Sequence, residues 1–343
     1  MEGLSALWPK RHPELDWVQV AVTSYCDAKC AYCPHTRLRS GWRSQHIDPD
    51  LFASFLKRLK KTTLVYLQGW GEPLLHPQFW HMLAQVKAKG MLAGCTSNGN
   101  QLTTDTLHRA VDQGLDIMAF SLAGTGKHND AIRRGTSFAH VMWAIETLQR
   151  LKVRLKSSTP KIHLAYMVLR SHLGDLEDVP SLVRESGIEH TVLSNLTLPL
   201  GAHWHRQAML ADSKQEYQRL QYWLDEIFSP PEVRAKVYTH FYTPWLPQGE
   251  CSENVQRAAC LSQWGEVSPC VMTQIPVQGP VRYWFQGQEQ MVQRMQFGTL
   301  ADEDFKTIWH KPEYKRFRKH LDLAMCSRCA KRQIDTHRAS SQE

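Results

Sequence analysis

Short apolar runs alternate with longer amphipathic stretches between residues 17 and 196. The apolar runs have the length and composition of β-strands, and they lie at residues 18–23, 64–69, 91–97, 117–122, 162–169 and 191–196. The stretches between them place apolar residues at helical spacing, at residues 50–60, 77–89, 104–113, 138–151 and 175–186. Strands that alternate with helices through short loops predict a parallel sheet covered by helices, which either stays open or curls into a barrel.

The remainder of the chain has a different pattern. Residues 201–250 are polar and mainly helical, with prolines at 230, 231, 244 and 247, and we interpret them as a bridge. From Cys251 onward, short strand-like pieces are mixed with glycine, proline and five cysteines, and residues 302–320 predict short amphipathic helices interrupted at Pro312. We therefore predict a core at 1–200, a helical bridge at 201–250 and a small cysteine-rich α+β domain at 251–343.

Composition is that of a soluble globular protein, with 42% hydrophobic and 22% charged residues in a chain of 343. No apolar run approaches the roughly 20 residues that span a bilayer, and residues 1–11 lack the apolar segment of a signal peptide. Nine cysteines are an odd number for a disulfide framework. These observations predict a cytoplasmic protein without a membrane partner.

The formal net charge of +8 is modest for this length. Basic residues are concentrated between residues 311 and 338, and we interpret them as a solvated helix face. The charge is compatible with an acidic electron donor, such as ferredoxin or flavodoxin, and with anionic substrates. No recognised nucleic-acid-binding motif accompanies it, which argues against a nucleic-acid partner.

Three cysteines follow the first predicted strand in a C-x3-C-x2-C run, Cys26, Cys30 and Cys33. Thiolates this close in sequence can ligate one soft metal centre. A [4Fe–4S] cluster normally takes four thiolates, so three would leave one iron open to a small molecule. The run therefore predicts a site where chemistry can occur at an incompletely ligated iron.

Further candidate site residues lie where the next four predicted strands end. They are Gly71, Glu72 and Pro73 after the second strand, Ser97 and Asn98 at the end of the third, Ser121 at the end of the fourth and Arg170 after the fifth. Functional residues of parallel α/β sheets lie at the C-terminal ends of the strands. We therefore expect these side chains on the same rim as the three cysteines.

A second group of cysteines lies in the C-terminal region, Cys251, Cys270, Cys326 and Cys329. Four thiolates suffice for a closed [4Fe–4S] cluster or for a structural zinc ion, and spacing alone does not distinguish the two metals. Cys260 is the thiol without an assignment in this region, and it could replace Cys251 as a ligand.

The C-x3-C-x2-C run, with Tyr32 before its third cysteine, resembles the cluster-binding signature of radical S-adenosylmethionine (SAM) enzymes. The resemblance implies a partial (βα)6 barrel in which Cys26, Cys30 and Cys33 hold a catalytic [4Fe–4S] cluster. It further implies that the open iron binds SAM, and that reductive cleavage of SAM gives a 5′-deoxyadenosyl radical that abstracts a substrate hydrogen.

The same resemblance implies roles for the other candidate residues. Gly71, Glu72 and Pro73 would hold the amino group of SAM, and Ser97 and Asn98 would contact its ribose or methionine part. Arg170 would pair with the carboxylate of SAM, and Tyr32 would pack near its adenine. Ser121 matches the serine at the end of strand four in the family. This chain departs from the family pattern at Trp70, where the commonest form has glycine, and at Ala123, which replaces an aspartate. Trp70 could instead wall the pocket.

The C-terminal cysteine pattern, C-x13-G-x4-C followed by C-x2-C, resembles a SPASM or Twitch auxiliary-cluster domain. The resemblance favours an auxiliary [4Fe–4S] cluster over zinc. It argues against a second auxiliary cluster, because no cysteine follows Cys329.

We therefore expect a radical SAM oxidoreductase of the maturase type, which acts on a peptide or protein side chain with an auxiliary cluster for electron transfer or substrate positioning. The alternative is the same chemistry on a small metabolite or on a cofactor or antibiotic precursor. A zinc-binding, basic nucleic-acid-interaction module would not explain three thiols followed by Gly-Trp-Gly-Glu-Pro. A cluster-bearing electron carrier would not need an open iron.

Overall fold

The computed structural model describes residues 15–59, 62–209, 213–241 and 251–332. The N-terminal segment 1–11, the predicted helix end at residue 60 and the bridge prolines Pro244 and Pro247 lie outside these residues. None of the described helices is long and apolar enough to cross a bilayer.

Seven parallel strands lie side by side in chain order. They are β1 (Trp17–Val20), β2 (Leu64–Leu67), β3 (Leu92–Ser97), β4 (Ile117–Leu122), β5 (Lys161–Val168), β6 (His190–Asn195) and β7 (Val237–His240). The first six confirm the predicted parallel sheet, and their ends differ from the predicted ends by up to three residues. β7 extends the sheet into the region interpreted as a helical bridge.

Ten helices accompany these strands in the described residues. They are α1 (Pro34–Arg37), α2 (Pro49–Arg58), α3 (Phe79–Ala88), α4 (Thr104–Asp112), α5 (Gly126–Ile132), α6 (Phe138–Arg154), α7 (Val179–Glu185), α8 (Ala202–Gln207), α9 (Lys214–Ile227) and α10 (Pro231–Arg234). Side-chain caps mark the starts of four of these ten helices, α2, α4, α6 and α9. The Asp48 carboxylate accepts N–H bonds from Asp50 and Leu51 at the start of α2, and Thr103 and Thr106 bond reciprocally at the start of α4. Short, polar α5 was not predicted.

The C-terminal region joins the same sheet. Its elements are β8 (Ala258–Leu261), β9 (Glu266–Ser268), β10 (Arg282–Phe285), β11 (Gln288–Met291), β12 (Gly298–Thr299), α11 (Phe305–His310) and α12 (Pro312–His320). β8 pairs in parallel with β1, β9 and β12 follow as antiparallel strands, and β10 and β11 form a separate hairpin. The predicted helix interruption at Pro312 is confirmed.

An ion pair between buried Asp16 and partly exposed Arg257 holds β8 beside β1. The Asp16 carboxylate accepts hydrogen bonds from the Arg257 guanidinium at 2.8 and 2.9 Å and from the Asn254 amide at 2.8 Å. Strands β8, β9 and β12 of the C-terminal region therefore continue the core sheet. The domain boundaries at residues 200 and 250 stay predictions.

Alternating side chains divide the sheet into two faces. On β5, Ile162, Leu164, Tyr166 and Val168 are buried in the main core between the sheet and its helices. Met167 faces the opposite side, where a smaller apolar cluster surrounds the three cysteines of the first run. Cys95 is buried in the main core, as the apolar pattern of β3 predicted.

Candidate functional site

The three cysteines of the first run lie in the loop that joins β1 to α1, which we call the cysteine loop (residues 21–33). Backbone hydrogen bonds attach this loop to the segment after β4: the Lys29 N–H donates to the Arg134 carbonyl at 2.7 Å, and the Ala31 N–H donates to the Ile132 carbonyl at 2.8 Å. The loop is therefore fixed across the C-terminal ends of the strands, as expected.

Burial keeps Cys26 and Cys33 from acting as free nucleophiles. The pKa of Cys26 and of Cys33 is raised to about 12, mainly by burial and in smaller part by the neighbouring thiols of the run. A nucleophilic cysteine needs a lowered pKa. Thiols that lie close together and are costly to ionise alone are instead suited to bind a metal centre. The positive charge of the metal stabilises their thiolates.

The Gly-Trp-Gly-Glu-Pro motif after β2 packs directly against the cysteine loop. The Glu72 N–H donates to the Tyr25 carbonyl at 2.8 Å. A Cβ on Gly71 would overlap that carbonyl oxygen and lie 2.6 Å from the Thr23 carbonyl oxygen, so only glycine fits. The two predicted sites therefore meet at one point of the rim.

The Glu72 carboxylate is buried, with 2% of the residue exposed. It accepts hydrogen bonds from the Asn98 N–H at 2.7 Å and the Leu74 N–H at 3.3 Å. Burial raises the pKa of Glu72 to about 7, although these bonds and one from Ser97 act to lower it. A cation beside this carboxylate would keep it ionised at neutral pH.

The end of β3 reaches the cysteine loop through an amide. The Asn98 Nδ2 donates to Asp27 Oδ1 at 2.8 Å and lies 3.7 Å from the Cys26 sulfur, and the Gln101 amide donates to Asp27 Oδ2 at 2.8 Å. Asp27 was not predicted as a site residue. Its only signal in the sequence is its position between the first two cysteines. A single residue between two candidate ligands does not by itself indicate a site.

A buried arginine lies on the other side of the cysteine loop. Arg133 is 6% exposed, and its Nη1 donates to the Tyr32 hydroxyl at 2.9 Å, while its Nε has no partner among the described residues. Burial acts to lower the pKa of Arg133, but Tyr32 and Cys30 raise it above its usual range, so the guanidinium stays charged. Tyr32 also packs edge-on against Trp204, at 6.3 Å between ring centroids.

The remaining predicted site residues are Ser121, Pro73 and Arg170. Ser121 is half-buried and lies on the face of β4 opposite the main core. Pro73 begins a short 3-10 turn that the Glu72 side chain caps. Arg170 forms an ion pair with Glu216 of α9, with 2.7 Å between Nη1 and Oε1. The contact between Arg170 and a SAM carboxylate stays a prediction.

Four thiols of the C-terminal region line one cavity, which we call the auxiliary cavity. It has a volume of about 720 Å³ including its mouth, and its thiols are Cys251, Cys270, Cys326 and Cys329. Cys260 is not part of its lining, because it lies in β8 with its thiol 3.8 Å from the Gln19 Oε1. Cys251, and not Cys260, therefore lines the auxiliary cavity together with the other three thiols.

Cationic side chains surround the auxiliary cavity. Arg328, Lys331 and Arg332 line it, and the Lys331 ammonium is paired with Glu253 at 2.9 Å. Burial raises the pKa of Cys251 to about 12 and of Cys326 to about 11. Four partly buried thiols beside several positive charges fit a metal cluster that carries net negative charge.

No three His, Cys, Asp or Glu side chains in the described ranges converge closely enough to hold a single metal ion. In a four-iron cluster, each thiolate binds a different iron.

Two family models match this chain. The model of the radical SAM superfamily matches residues 20–163, and the model of the SPASM iron–sulfur cluster-binding domain matches residues 251–330. The chain belongs to the radical SAM superfamily. It is a radical SAM protein with a C-terminal SPASM domain, as its two cysteine patterns indicated.

Two curated relatives illustrate the range of similar radical SAM proteins. The tungsten-containing aldehyde ferredoxin oxidoreductase cofactor-modifying protein of Pyrococcus furiosus is 23% identical over 333 residues, which cover 93% of this chain and 88% of the relative. The mycofactocin maturase MftC of Mycobacterium ulcerans is 24% identical over 169 residues, which cover 48% of this chain and 43% of the relative.

Solved structures share the fold. SuiB of Streptococcus suis, bound to SAM, superposes with a TM-score of 0.63 at 14% identity over 92% of this chain and 72% of its own. The enzyme anSMEcpe, with bound SAM and a Cp18Cys peptide, superposes with a TM-score of 0.61 at 12% identity over 95% of this chain and 94% of its own.

The radical SAM protein is therefore an iron–sulfur enzyme that receives electrons from a reductant. Its radical SAM domain implies a catalytic [4Fe–4S] cluster and SAM, and its SPASM domain implies auxiliary iron–sulfur binding. The structure brings most of the predicted rim residues together around the cysteine loop, and it pairs Arg170 with Glu216 instead. The individual roles of these residues stay predictions.

Proposed function

We propose that this radical SAM enzyme is a maturase that abstracts a hydrogen from a side chain of a peptide or protein. The observation that carries the proposal is the arrangement of the two thiol groups, one on the rim of the sheet and one in the auxiliary cavity of the C-terminal region. Two structures with this architecture, SuiB with precursor peptide SuiA and anSMEcpe with a Cp18Cys peptide, hold peptides.

In this proposal, Cys26, Cys30 and Cys33 bind the catalytic cluster, and Glu72 receives the ammonium group of SAM. The bound cofactors supply reductive cleavage of SAM and a 5′-deoxyadenosyl radical that removes the substrate hydrogen. The protein itself binds, orients and excludes water. The Glu72 carboxylate is suited to its task because two backbone N–H groups hold it in place and a cation would stabilise its ionised form.

The rest of the rim would support the SAM molecule. Ser97 and Asn98 are fixed beside Glu72, and Asn98 is tied to the cysteine loop through Asp27. Tyr32 is held by the charged Arg133, which also offsets the negative charge of the thiolates. These contacts keep the donor and acceptor atoms in place before SAM binds, which lowers the cost of ordering them.

In the auxiliary cavity, Cys251, Cys270, Cys326 and Cys329 would bind a [4Fe–4S] cluster for electron transfer or substrate positioning. Arg328 and Lys331 would offset its charge. The low-potential electron donor would be a ferredoxin or flavodoxin in the cytoplasm. An acidic donor is favoured because the chain has a net charge of +8.

One observation favours a second substrate class. The Pyrococcus furiosus relative is named as a cofactor-modifying protein, and its similarity extends over 93% of this chain. The second candidate function is therefore the same hydrogen abstraction on a small cofactor precursor.

Deuterium transfer distinguishes the two substrate classes. The anaerobically reconstituted enzyme is incubated with SAM, dithionite and an extract of its own organism grown on deuterated medium, and deuterium in 5′-deoxyadenosine is measured by mass spectrometry. The extract is divided into macromolecular and small-molecule fractions, each with and without prior protease digestion. We expect deuterium from the macromolecular fraction, with a loss of this signal after digestion to free amino acids.

The Cys30→Ala variant is the control for label that arises without the enzyme. Deuterium that comes from the small-molecule fraction alone, and is insensitive to protease, would reject the peptide substrate and favour the cofactor precursor. An absence of enzyme-dependent deuterium from every fraction would reject both.

A further inference from the structure

Trp70 occupies a position where the related glycine-rich motif commonly has glycine, and its indole reaches the C-terminal region. Its Nε1 donates a hydrogen bond to the Val271 carbonyl at 3.1 Å. Val271 follows Cys270 directly in the chain, and Cys270 lines the auxiliary cavity. The half-buried indole also packs on the apolar cluster that contains Val277 and Met272, so its position is fixed.

The backbone beside Trp70 reaches the cysteine loop. Two residues further along the chain, the Glu72 N–H donates to the Tyr25 carbonyl at 2.8 Å. Tyr25 precedes Cys26 directly. Gly71 allows this close approach, because any side chain there would overlap the Tyr25 carbonyl oxygen.

The two contacts form one continuous path between the two thiol groups. From Cys26 it runs through the Tyr25 carbonyl to Glu72, back along the chain to Trp70, and across the indole N–H to Val271 and Cys270. Two hydrogen bonds, of 2.8 and 3.1 Å, are the only breaks in its covalent continuity. The indole N–H of Trp42 also donates to the cysteine loop, at the Ser24 carbonyl. Its backbone contact in the C-terminal region is Val277, which lies farther along the chain from Cys270.

We propose that Trp70 is an electron bridge between the catalytic and the auxiliary centre. One electron leaves the reduced auxiliary centre, which is oxidised by one electron, and arrives at the oxidised catalytic centre, which is reduced by one electron. No proton moves and no bond breaks, and Trp70 itself is neither oxidised nor reduced. The inference rests on the proposed function only through the assignment of Cys26 and Cys270 as cluster ligands, and it does not depend on the substrate.

The test measures electron exchange between the two centres without substrate or SAM. A photoexcited deazaflavin delivers less than one electron per chain to the anaerobic holoenzyme, and rapid-freeze electron paramagnetic resonance follows its redistribution. The spectra of Cys30→Ala and Cys326→Ala identify the signal of each centre. We expect Trp70→Phe, which keeps an aromatic ring and loses the N–H, to slow the redistribution severalfold while both iron content and midpoint potentials stay at wild-type values.

Trp264→Phe is the matched control, because the Trp264 indole N–H also crosses between the two regions, to the Gln45 side chain at 2.6 Å, but lies off the path. This variant should redistribute the electron at the wild-type rate. Equal slowing in both variants would assign the effect to packing between the regions and overturn the proposal.

A second substitution covers the case in which Trp70→Phe fails to fold. Benzothienylalanine at position 70 keeps the bicyclic shape and replaces the N–H with sulfur. If either variant at position 70 contains both clusters and redistributes the electron at the wild-type rate, the electron bridge is overturned. Loss of iron in the cysteine variants at sites other than those assigned would instead reject the ligand assignment, so the two failures are distinguishable.

Discussion

Replacing Glu72 with glutamine should change how the stability of the cluster-free protein depends on pH. Burial raises the pKa of this carboxyl from 4.5 to about 7, a difference of about 2.5 units. At about 1.4 kcal/mol per unit, the ionised carboxylate destabilises the folded protein by about 3 kcal/mol. Because the folded-state pKa is raised, this cost is absent below about pH 4.5, grows as the pH rises and is complete above about pH 7.

Glutamine removes the titration but introduces a second effect. Its amide nitrogen would face either the Asn98 or the Leu74 N–H, and a donor placed against a donor costs about 1–3 kcal/mol at every pH. We therefore expect Glu72→Gln to be less stable than wild type near pH 5. Relative to wild type, it should gain about 2.5 kcal/mol between pH 5 and pH 8, because part of the cost is already present at pH 5.

Urea unfolding of both cluster-free proteins in a thiol reductant, at four values between pH 5 and pH 8, measures this difference. Glu146→Gln is the control, because the Glu146 side chain is 60% exposed. A stability difference between wild type and Glu72→Gln that stays constant over this range would refute the reasoning.

Three further predictions follow from contacts at the two thiol groups. Gly71→Ala should displace the motif from the cysteine loop, because its Cβ would lie 2.6 Å from the Thr23 carbonyl oxygen, and the iron content after anaerobic reconstitution should fall; iron content equal to wild type would contradict the packing. Arg133→Met should lower the midpoint potential of the catalytic cluster in a redox titration, since a buried positive charge favours its more negative, reduced form; an unchanged potential would remove Arg133 from the site. Cys326→Ala should retain about half of roughly eight irons, because two four-iron clusters are expected and one is lost, and full iron content would argue against this ligand.

Features encoded by local sequence were predictable. The six parallel strands followed from apolar runs, and the placement of the cysteine loop and of Glu72 followed from the rule that functional residues lie at strand ends. The break at Pro312 followed from the missing N–H of proline. Helix α5 was missed because its sequence, Gly-Lys-His-Asn-Asp-Ala-Ile, has too few apolar residues for a helical period.

Features that depend on distant residues were not predictable from the pattern. The parallel pairing of β8 with β1 is fixed by Asp16 and Arg257, which are 241 residues apart. The bond between Arg133 and Tyr32 joins residues 101 apart. The sequence assigned Cys251 and left Cys260 as a possible replacement; of the two, only Cys251 lines the auxiliary cavity, and its assignment as a ligand stays a prediction.

The most direct measurement is the formation of 5′-deoxyadenosine from SAM by the reduced, anaerobically reconstituted enzyme. Wild type should form it, and Cys30→Ala should not, because the catalytic cluster loses one of its three ligands. Cys260→Ala removes a buried thiol outside both groups and should retain the activity. Cleavage of SAM by Cys30→Ala at the wild-type rate would contradict the claim that the cysteine loop holds the reactive iron.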